Sequence, residues 1–469
     1  MNIQVRSGPQ AGLYEELTTI SGRDRRLALA EIVLAPGALD ELGELVRSAE
    51  SVLIAQDDVD MFRSGESIKP MVTAALRDAG HQVEVVRLSG EVHPDSQRVA
   101  QVRAGLRPGQ AVICLGSGVL ADITKHAVHE YETHHQQRLR LIVAQTANSV
   151  CAFTSGMVVL TIDGVKRTLP SRLPDVLLLD TQLLSDAPPE YNLGGIGDAS
   201  VAAASFADYR LGHLLGLTGW EPLSWDLMQH ARSRFLARDE ILSGPGLAAM
   251  GATALDLAAC GLAMTVAGES APLSGLEHVT SHTLDMAANY HQRPIGNHGS
   301  QCALATILSL IAWQHLLDLD SLDGLDLAAI DHGYWQSQVE AAFGPIDKEG
   351  FAWRECWNDF SQKIEQWRAS AEAIRAFTAN WPRHREDLRR FVTTPQEYVA
   401  ALAATGHPLR WEDIPARIDE SHARWAFTNA RLMRKRTSVA DVLGFAGLWT
   451  EGFINEVFDA YHAAIAPYT

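Results

Sequence analysis

The sequence predicts an α/β domain followed by an all-α domain, and three observations lead to this division. The chain has 469 residues, more than one hydrophobic core of about 250–300 residues accommodates. Up to about residue 185, short β-branched apolar runs alternate with helix-length segments, which is typical of a parallel, doubly wound sheet. After residue 186, segments with a periodicity of about 3.6 residues follow one another. We therefore expect domains at 1–185 and 186–469.

The strands of the first domain are predicted from short apolar runs at Ser51–Ala55, Gln82–Leu88, Ala111–Leu115, Leu139–Ala144, Met157–Ile162 and Asp175–Leu179. Between the early runs lies a helix-length segment, Lys69–Gly80, which ends in a glycine that suits a helix C-terminus. The domain boundary is expected near Pro188 and Pro189 and the glycines of Leu193–Gly197, because proline and glycine discourage both helix and strand.

The charge balance limits the classes of partner. Lys and Arg number 39 against 57 Asp and Glu, a formal net charge of −18, and no basic block is present. Nucleic-acid affinity comes mostly from cations that neutralise phosphates, so we expect small-molecule partners and no nucleic acid. The five cysteines contain no CxxC pair, which indicates reduced thiols in the cytoplasm.

Two segments bear on membranes and export. The N-terminal sequence MNIQVRSGPQAGLYEEL has no basic stretch followed by an apolar run, so we expect no secretory signal. The most apolar stretch, Leu247–Gly268, approaches the roughly 20 residues that span a bilayer. It contains Asp256 and has neither basic flanks nor an aromatic belt. We therefore expect a buried core helix and no membrane partner.

A glycine-rich turn follows the third predicted strand. Gly116, Ser117 and Gly118 begin the sequence GSGVLA, which fits G-x-G-x-x-A before a helix at Leu120–Glu130. Such a turn lets the N–H groups at a helix N-terminus receive a pyrophosphate; the alternative is a purely structural turn. Asp57 ends the first predicted strand and reaches a ribose only if that strand lies beside the glycine turn. Otherwise it is a solvated acid.

Several candidate metal ligands lie in the second half. His278 and His282 stand four residues apart, which places them on one face of a helix. His298 follows in Asn297-His298-Gly299, and Asp198 lies in Gly197-Asp198-Ala199, which we expect to open another helix. Each group has an alternative as a buried core histidine, a helix cap or a turn. Together they match the three-ligand N/O sites of catalytic metals.

With these motifs in view, the sequence resembles the iron-containing alcohol dehydrogenase superfamily in its sn-glycerol-1-phosphate dehydrogenase branch, related to glycerol dehydrogenase and 3-dehydroquinate synthase. The matching segments cover most of residues 45–455 and are GSGVLADITKHA, PDVLLLDTQLLSDAPPEYNLGGIGDAS, GLEHVTSHTLDM, His298-Gly299 and ARLMRKRTSVADVLGFAGL. The resemblance implies a dehydroquinate synthase-like fold, with a dinucleotide domain, a helical metal domain and a cleft between them.

The resemblance also implies a metal site. Its ligands fall on Asp198, His282 and His298, with His278 one turn away in contact with the substrate or in proton transfer. Some iron-dependent relatives use a further histidine four residues after the aspartate, and here that position is Ala202. Three protein ligands are therefore expected, which favours Zn²⁺ over Fe²⁺.

The cofactor implied by the resemblance is NAD or NADP. Gly116, Ser117 and Gly118 correspond to the pyrophosphate loop, and Asp57 to an acid at the adenosine ribose. That acid favours NAD, because it would repel a 2′-phosphate. Three further positions match the cofactor side of the cleft: Asp122, Thr146 and Ser149. Lys125 is expected to contact phosphate or substrate, the alternative being a solvated helix lysine.

One loop departs from the family pattern. The segment usually reads close to PTxASxDG, with an aspartate near the substrate hydroxyls, whereas this chain has Gln145 for the proline and Cys151 for the aspartate. A carboxylate accepts two hydroxyl hydrogen bonds and a thiol is a poor partner for either. We therefore expect a substrate bound differently from glycerol 1-phosphate in its usual mode.

These expectations combine into a function. The predicted activity is a metal-dependent NAD(P) oxidoreductase that interconverts a secondary alcohol and a ketone on a small polyol or polyol phosphate, in a cytoplasmic homo-oligomer. Two alternatives stay open. A dehydroquinate synthase-like cyclase would need extra cations, with Arg210, Arg232 and Arg234 as candidates. An inactive binding protein would keep the fold alone.

Overall fold

The computed structural model describes Leu29 and residues 31–162, 165–244, 246–325, 327, 330–347 and 349–469. The N-terminal segment, where we expect no secretory signal, lies outside the described residues. The strands are β1 (Glu31–Ala35), β2 (Ser51–Asp57), β3 (Phe62–Arg63), β4 (Glu66–Ser67), β5 (Gln82–Leu88), β6 (Gln110–Gly116), β7 (Arg140–Gln145), β8 (Met157–Ile162), β9 (Val165–Pro170) and β10 (Val176–Asp180).

The centre of the first half is a six-stranded parallel sheet with the order β1-β10-β7-β6-β2-β5. The chain leaves β2 towards β5 and later leaves β6 towards β7, so the direction of winding reverses between β2 and β6. In open parallel sheets the crevice at such a reversal binds ligands beyond the carboxyl ends of the strands. Asp57 ends β2 and Gly116 ends β6, so both stand at this crevice.

Two details of the strand prediction need correction. Met157–Ile162 forms a strand, but it pairs antiparallel with Val165–Pro170 as a separate hairpin and does not join the sheet. Glu31–Ala35 was not predicted; it forms the sheet edge beside β10. The hairpin is held beside the sheet by a side chain, because the amide of Val159 donates to Oδ2 of Asp122 (3.0 Å).

Helices make up most of the remaining structure: α1 (Leu42–Leu45), α2 (Ile68–Asp78), α3 (Ser96–Gly105), α4 (Gly118–His135), α5 (Thr181–Asp186), α6 (Pro189–Ser200), α7 (Ser205–Leu214), α8 (Pro222–Leu236), α9 (Glu240–Ser243), α10 (Leu247–Ala267), α11 (Leu276–Tyr290), α12 (His298–Asp318), α13 (His332–Phe343), α14 (Phe351–Ala369), α15 (Ala371–Ala379), α16 (Trp381–Arg389), α17 (Pro395–Ala404), α18 (Glu420–Asn429), α19 (Val439–Phe445) and α20 (Glu451–Ile465). After β10 the described elements are all helical. The predicted fold class, a parallel α/β unit followed by an all-α unit, is confirmed; the boundary at residue 186 stays a prediction.

Helix α6 corrects two expectations. The segment with Pro189 and three glycines is helical, and Asp198 stands near its C-terminal end instead of opening a helix. Proline is well suited to a first helical turn, and the glycines allow close packing. A Cβ on Gly197 would lie 2.4 Å from the carbonyl oxygen of Gly299, and a Cβ on Gly299 would lie 1.8 Å from that of Gly194. The backbones of α6 and α12 therefore touch.

In the part of the chain that the structure describes, two helices are long and apolar enough to cross a membrane by length and composition alone, Leu247–Ala267 and His298–Asp318. In each, 83% of the apolar window is buried inside the protein. Helix α10 is rich in alanine, and its small side chains pack among neighbouring helices and the turn at Cys151–Thr154. The prediction of a buried core helix at Leu247–Gly268 is thus confirmed, and such burial is typical of soluble proteins.

Candidate active site

A cavity of about 310 Å³ lies between the glycine turn and the helices that carry the histidines. One wall, the α/β wall, comes from the residues after β6 and β7 and from the β8–β9 hairpin. The other, the helical wall, comes from α6, α11 and the start of α12. The sequence-predicted residues that line the cavity are Ser117, Gly118, Asp122, Ser149, Cys151, Asp198, His278, His282 and His298.

Four donor groups converge on the helical wall, and we call them the donor cluster: Asp198, His278, His298 and Cys302. One ligand atom from each lies within 4.8 Å of all the others. The contact between α6 and α12 explains this convergence, because it brings the end of one helix to the start of the other. His278 joins from α11, whose first turn faces the same place.

Asp198 is 2% exposed and its two carboxylate oxygens have different surroundings. Oδ2 accepts a hydrogen bond from the amide of Cys151 (2.6 Å). Oδ1 accepts no aligned hydrogen bond among the described atoms, although Nε2 of His278 lies 3.3 Å away. Burial would raise the pKa of Asp198, but the close approach of His278 and the charges of His278 and His298 outweigh it and hold the pKa at about 2. The carboxylate is thus ionised, with one oxygen left for a cation.

In two histidines of the donor cluster, the Nδ1 atom contacts a buried hydrogen-bonding side chain. Nδ1 of His278 lies 3.2 Å from Oε1 of Glu277, and Nδ1 of His298 lies 2.9 Å from Oγ of Ser281. The Ser281 hydroxyl donates to Oε1 of Gln301 (2.6 Å), so it accepts from His298. Partners of this kind fix a ring so that its other nitrogen faces a metal ion. In both residues that nitrogen is Nε2, at 3.3 Å and 3.6 Å from Oδ1 of Asp198.

His282 does not belong to the donor cluster, although its ring centroid lies 5.3 Å from that of His298. The two histidines of α11 also differ electrostatically. Burial and the charges of Lys166 and His298 lower the pKa of His282 well below its usual value. Burial would also lower the pKa of His278, but Cys302, Asp198 and Glu277 raise it well above the usual value. The site stabilises positive charge at His278 and disfavours it at His282.

The residues present fit a divalent metal ion. A buried carboxylate oxygen without an aligned donor and two imidazole nitrogens with fixed outer partners converge on one point, and these are ligands that Zn²⁺ and Fe²⁺ accept. Ala202, at the position of the further histidine in some relatives, is buried and offers no donor. The ligand set stays a prediction, and the geometry favours His278 over His282 as its second member.

Cys151 begins the short 3₁₀ turn Cys151–Thr154 and is 2% exposed. Its amide holds Asp198, as described above. Burial and the neighbouring Cys260 and Asp198 raise the pKa of the Cys151 thiol well above its usual value. The residue therefore positions the metal-facing carboxylate through its backbone and presents a protonated thiol at the cavity.

The glycine turn leads directly into α4, with Gly118 as the first helical residue. A Cβ on Gly118 would lie 2.3 Å from Cγ2 of Val150, and one on Gly116 would lie 2.4 Å from Cδ2 of Leu120. The first N–H groups of a helix have no intrahelical acceptor, and here the first helical residues, Gly118 and Val119, line the cavity beside Ser117. This cradle fits the pyrophosphate of a dinucleotide.

Asp57 and Thr146 lie beside this cradle and outside the cavity lining. The sheet order puts β2 next to β6, as a ribose contact from Asp57 requires. Its Oδ1 accepts from Nζ of Lys69 (2.8 Å) and from the amide of Val59 (3.1 Å). The amide of Thr146 donates to the carbonyl of Gly116 (3.2 Å), which ties the β7 end to the glycine turn.

Lys125 requires a correction, because the structure shows neither a contact with the cavity nor a solvated side chain. It is fully buried, and Nζ donates to the carbonyl oxygens of Ala152 (2.5 Å), Ser155 (2.9 Å) and Met157 (3.2 Å). Oδ1 of Asp122 lies 3.5 Å from Nζ. Three N–H donors are thereby used on backbone, so Lys125 supports the loop after β7 and has no donor left for a phosphate.

Sequence reasoning missed three residues at this site. Cys302 stands four residues after His298 on α12, and that spacing was the signal for it. Lys166 and Asp285 form an ion pair in the cavity wall. They come from the β8–β9 hairpin and from α11, and their pairing has no local sequence signal. Among the described residues that line the cavity, Lys166 is the only Lys or Arg.

Comparisons with known proteins agree with this architecture. Residues 33–188 match the family described as iron-containing alcohol dehydrogenase. A glycerol-1-phosphate dehydrogenase (NAD(P)+) of Bacillus subtilis strain 168 is 27% identical over 304 residues, which cover 63% of this chain and 75% of that protein. The enzyme of the same name from Methanothrix thermoacetophila is 24% identical over 282 residues, covering 60% and 75%.

A solved structure shares the fold. A probable glycerol dehydrogenase from Sinorhizobium meliloti 1021 superposes with a TM-score of 0.55 at 15% identity, covering 91% of this chain and 98% of that one. With the site geometry, these findings define a class: the protein is an NAD(P)-linked dehydrogenase with a divalent metal site. The chain resembles the iron-containing alcohol dehydrogenase superfamily and, within it, the glycerol-1-phosphate dehydrogenases.

Proposed function

We propose that this protein interconverts a secondary alcohol and a ketone on a small polyol phosphate, with NAD(P) as the hydride carrier. The observation that carries the proposal is the convergence of Oδ1 of Asp198 with the Nε2 atoms of His278 and His298. These atoms face a cavity whose opposite wall is the dinucleotide cradle. Relatives named glycerol-1-phosphate dehydrogenase support the substrate class.

Asp198, His278 and His298 would hold the metal ion, so we exchange the roles first expected for the two histidines of α11. When bound there, a divalent ion would supply Lewis-acid polarisation of the substrate oxygen, and NAD(P) would supply the hydride chemistry. His282 lines the cavity beside this centre with a pKa below its usual value. It is a neutral group placed to contact the substrate and to pass its hydroxyl proton towards solvent.

The proposed substrate carries an anionic group, for which Lys166 is the available cation. Lys166 is paired with Asp285, so a phosphate would compete with a carboxylate for the same ammonium group. The rest of the lining is largely apolar, with Met157, Val158 and Leu273 among its members. A compact substrate with one anionic end suits such a cavity.

The cyclase alternative finds no support in its candidate cations. Arg210 pairs with Asp387 (2.6 Å), Arg234 lies 3.6 Å from Asp256, and Arg232 lines a separate cavity. None of the three lines the cavity with the donor cluster. We therefore keep the dehydrogenase as the proposed function. Zinc as the resident metal, a cytoplasmic location and a homo-oligomeric state belong to the same proposal.

The experiment is a panel of ketone and polyol phosphates, dihydroxyacetone phosphate first, each with NADH and NADPH and with added Zn²⁺. We expect a fall in nicotinamide absorbance that needs the metal ion and the phosphorylated substrate. The matched control is Asp198→Ala, which should lose bound metal and activity together. Retained activity in that variant after metal analysis shows no bound ion would overturn the site.

A second readout separates the two reaction classes. Mass spectrometry of the same mixtures detects a cyclised or eliminated product that forms without net oxidation of the nicotinamide. Such a product would establish the cyclase and contradict our proposal. A metal-loaded protein that turns over no ketone or polyol in the panel would contradict it as well.

A further inference from the structure

A cysteine stands beside the metal ligands of the proposed function. Cys302 is fully buried on α12, one turn after His298. Its Sγ lies 3.6 Å from Nε2 of His298 and 4.0 Å from Nδ1 of the same ring. Of the two ring nitrogens, the sulfur therefore lies nearer to Nε2, the one closer to Asp198.

The thiol belongs to the donor cluster defined above. Sγ lies within 4.8 Å of a carboxylate oxygen of Asp198 and of ring nitrogens of His278 and His298. In addition, Oδ1 of Asp198, on a residue that is 2% exposed, has no aligned hydrogen-bond partner among the described atoms. A buried anionic oxygen without a donor, facing two imidazoles and a thiol, points to a cation at the centre of the group.

We infer that Cys302 supplies a fourth protein ligand, a thiolate, to the metal ion held by Asp198, His278 and His298. This inference rests on the proposed function, because it concerns the same ion. Some relatives use a further histidine as a fourth ligand, and this chain has Ala202 at that position. Cys302 would supply a fourth ligand from a different helix. Coordination breaks the S–H bond and forms a metal–sulfur bond, and the proton leaves to solvent.

A sulfur ligand has a consequence for metal choice. Thiolate is a soft donor that favours Zn²⁺ and Co²⁺ over Mg²⁺ and Mn²⁺, which prefer oxygen ligands. An Asp/His/His/Cys set can hold zinc through four protein atoms and still bind substrate by expanding to five ligands. The inference therefore strengthens the expectation of zinc by a route that is independent of the Ala202 substitution.

The test uses the full-length protein with Co²⁺ in place of the resident metal. Thiolate bound to Co²⁺ gives an intense near-ultraviolet charge-transfer band, whereas imidazole and carboxylate ligands do not. We expect the band in the wild type and in Cys356→Ser, which changes a buried cysteine outside the cavity lining. In Cys302→Ser, we expect bound Co²⁺ without the band.

X-ray absorption on the zinc-loaded protein gives a second readout. We expect one sulfur at about 2.3 Å from zinc in the wild type and only nitrogen and oxygen neighbours in Cys302→Ser. Co²⁺ bound by the wild type without the band, and zinc without a sulfur neighbour, would overturn the role of Cys302 and leave the proposed function intact. A wild type that binds neither metal would overturn the proposed function itself.

Discussion

The two walls of the cavity contrast in what they contribute. The helical wall presents side chains with chemistry, held in place by backbone contact between α6 and α12. The α/β wall contributes the glycine turn, apolar groups and one cation, Lys166. The lysine that follows this turn, Lys125, does not line the cavity and binds three carbonyl oxygens.

The contrast shows that the groups proposed to bind the metal ion and the groups that hold them in place come from different parts of the chain. Asp198 depends on both walls, because its helix supplies the carboxylate and the amide of Cys151 fixes one oxygen. Lys125 fixes the loop that begins with Cys151. Substitutions in the helical wall should therefore affect metal binding directly, and substitutions behind the α/β wall should act through stability and cofactor choice.

The largest effect on metal binding and activity is expected from Gly299→Ala. The added methyl would lie 1.8 Å from the carbonyl oxygen of Gly194, so α6 and α12 must separate and the donor cluster must open. We expect loss of bound metal and activity, and destabilisation of about 1–3 kcal/mol or more from overpacking. Metal analysis measures the bound ion, and thermal unfolding measures the loss of stability. Gly219→Ala, where nothing lies within 4 Å of the new methyl, should change neither; full metal occupancy in Gly299→Ala would contradict the account.

A second variant, Lys125→Met, removes the buried lysine that supports the loop after β7 in the α/β wall. Lys125→Met leaves three buried carbonyl oxygens and the Asp122 carboxylate without their cation, and removal of one partner from a buried pair costs about 3–5 kcal/mol. We expect this loss in denaturant unfolding. Lys125→Arg, which keeps the charge, should recover part of the stability. Unchanged stability in Lys125→Met would show that these contacts are not the lysine's role.

Acid should loosen the helical wall through His407. This buried histidine contacts Oγ of Ser300 (3.1 Å) and the carbonyl of Pro408, and burial lowers its pKa to about 4. The unfolded chain binds the extra proton first, so stability present above about pH 6.5 is lost as the pH falls towards 4. At about 1.4 kcal/mol for each pH unit, the loss is about 3 kcal/mol.

Unfolding of His407→Gln across this pH range checks the prediction. The variant should show a shallower fall in stability between pH 6.5 and 4 than the wild type. Parallel curves for the two proteins would mean that another group carries the acid sensitivity.

The smallest expected effect concerns cofactor choice. Asp57 would repel the 2′-phosphate of NADP, but Lys69 lies against its carboxylate (2.8 Å). Lys69→Met removes that compensation and should lower kcat/KM for NADPH relative to NADH by about tenfold, equivalent to about 1.4 kcal/mol. If the ratio of kcat/KM for NADPH to that for NADH is the same in the variant and the wild type, the ion pair of Lys69 and Asp57 does not contribute to cofactor selection.

Most of the sheet could be predicted from the sequence, because a strand's apolar run is a local signal. Gln82–Leu88 was predicted at its observed bounds. The exclusion of Met157–Ile162 from the sheet could not be predicted, because an apolar run does not say which strand will pair with it, and here the partner is Val165–Pro170. Helix α6 was also missed. Its glycines discourage a helix locally, yet they are what lets it contact α12.

The candidate site shows the same division. Spacing alone puts His278 and His282 on one helix face, and it cannot say which of them meets Asp198. That choice follows from how α6 and α11 pack. The role of Lys125 likewise depends on carbonyl groups about 30 residues away along the chain, for which no local pattern exists.

The central claim is that Asp198, His278 and His298 hold the metal ion, and its most direct test compares two matched variants. Zinc content and affinity are measured by elemental analysis and calorimetry for His278→Ala and His282→Ala, each checked for folding by circular dichroism. We predict that His278→Ala loses the bound zinc, whereas His282→Ala keeps about one zinc per chain and loses activity. Zinc retained in a folded His278→Ala and lost from a folded His282→Ala would contradict the claim.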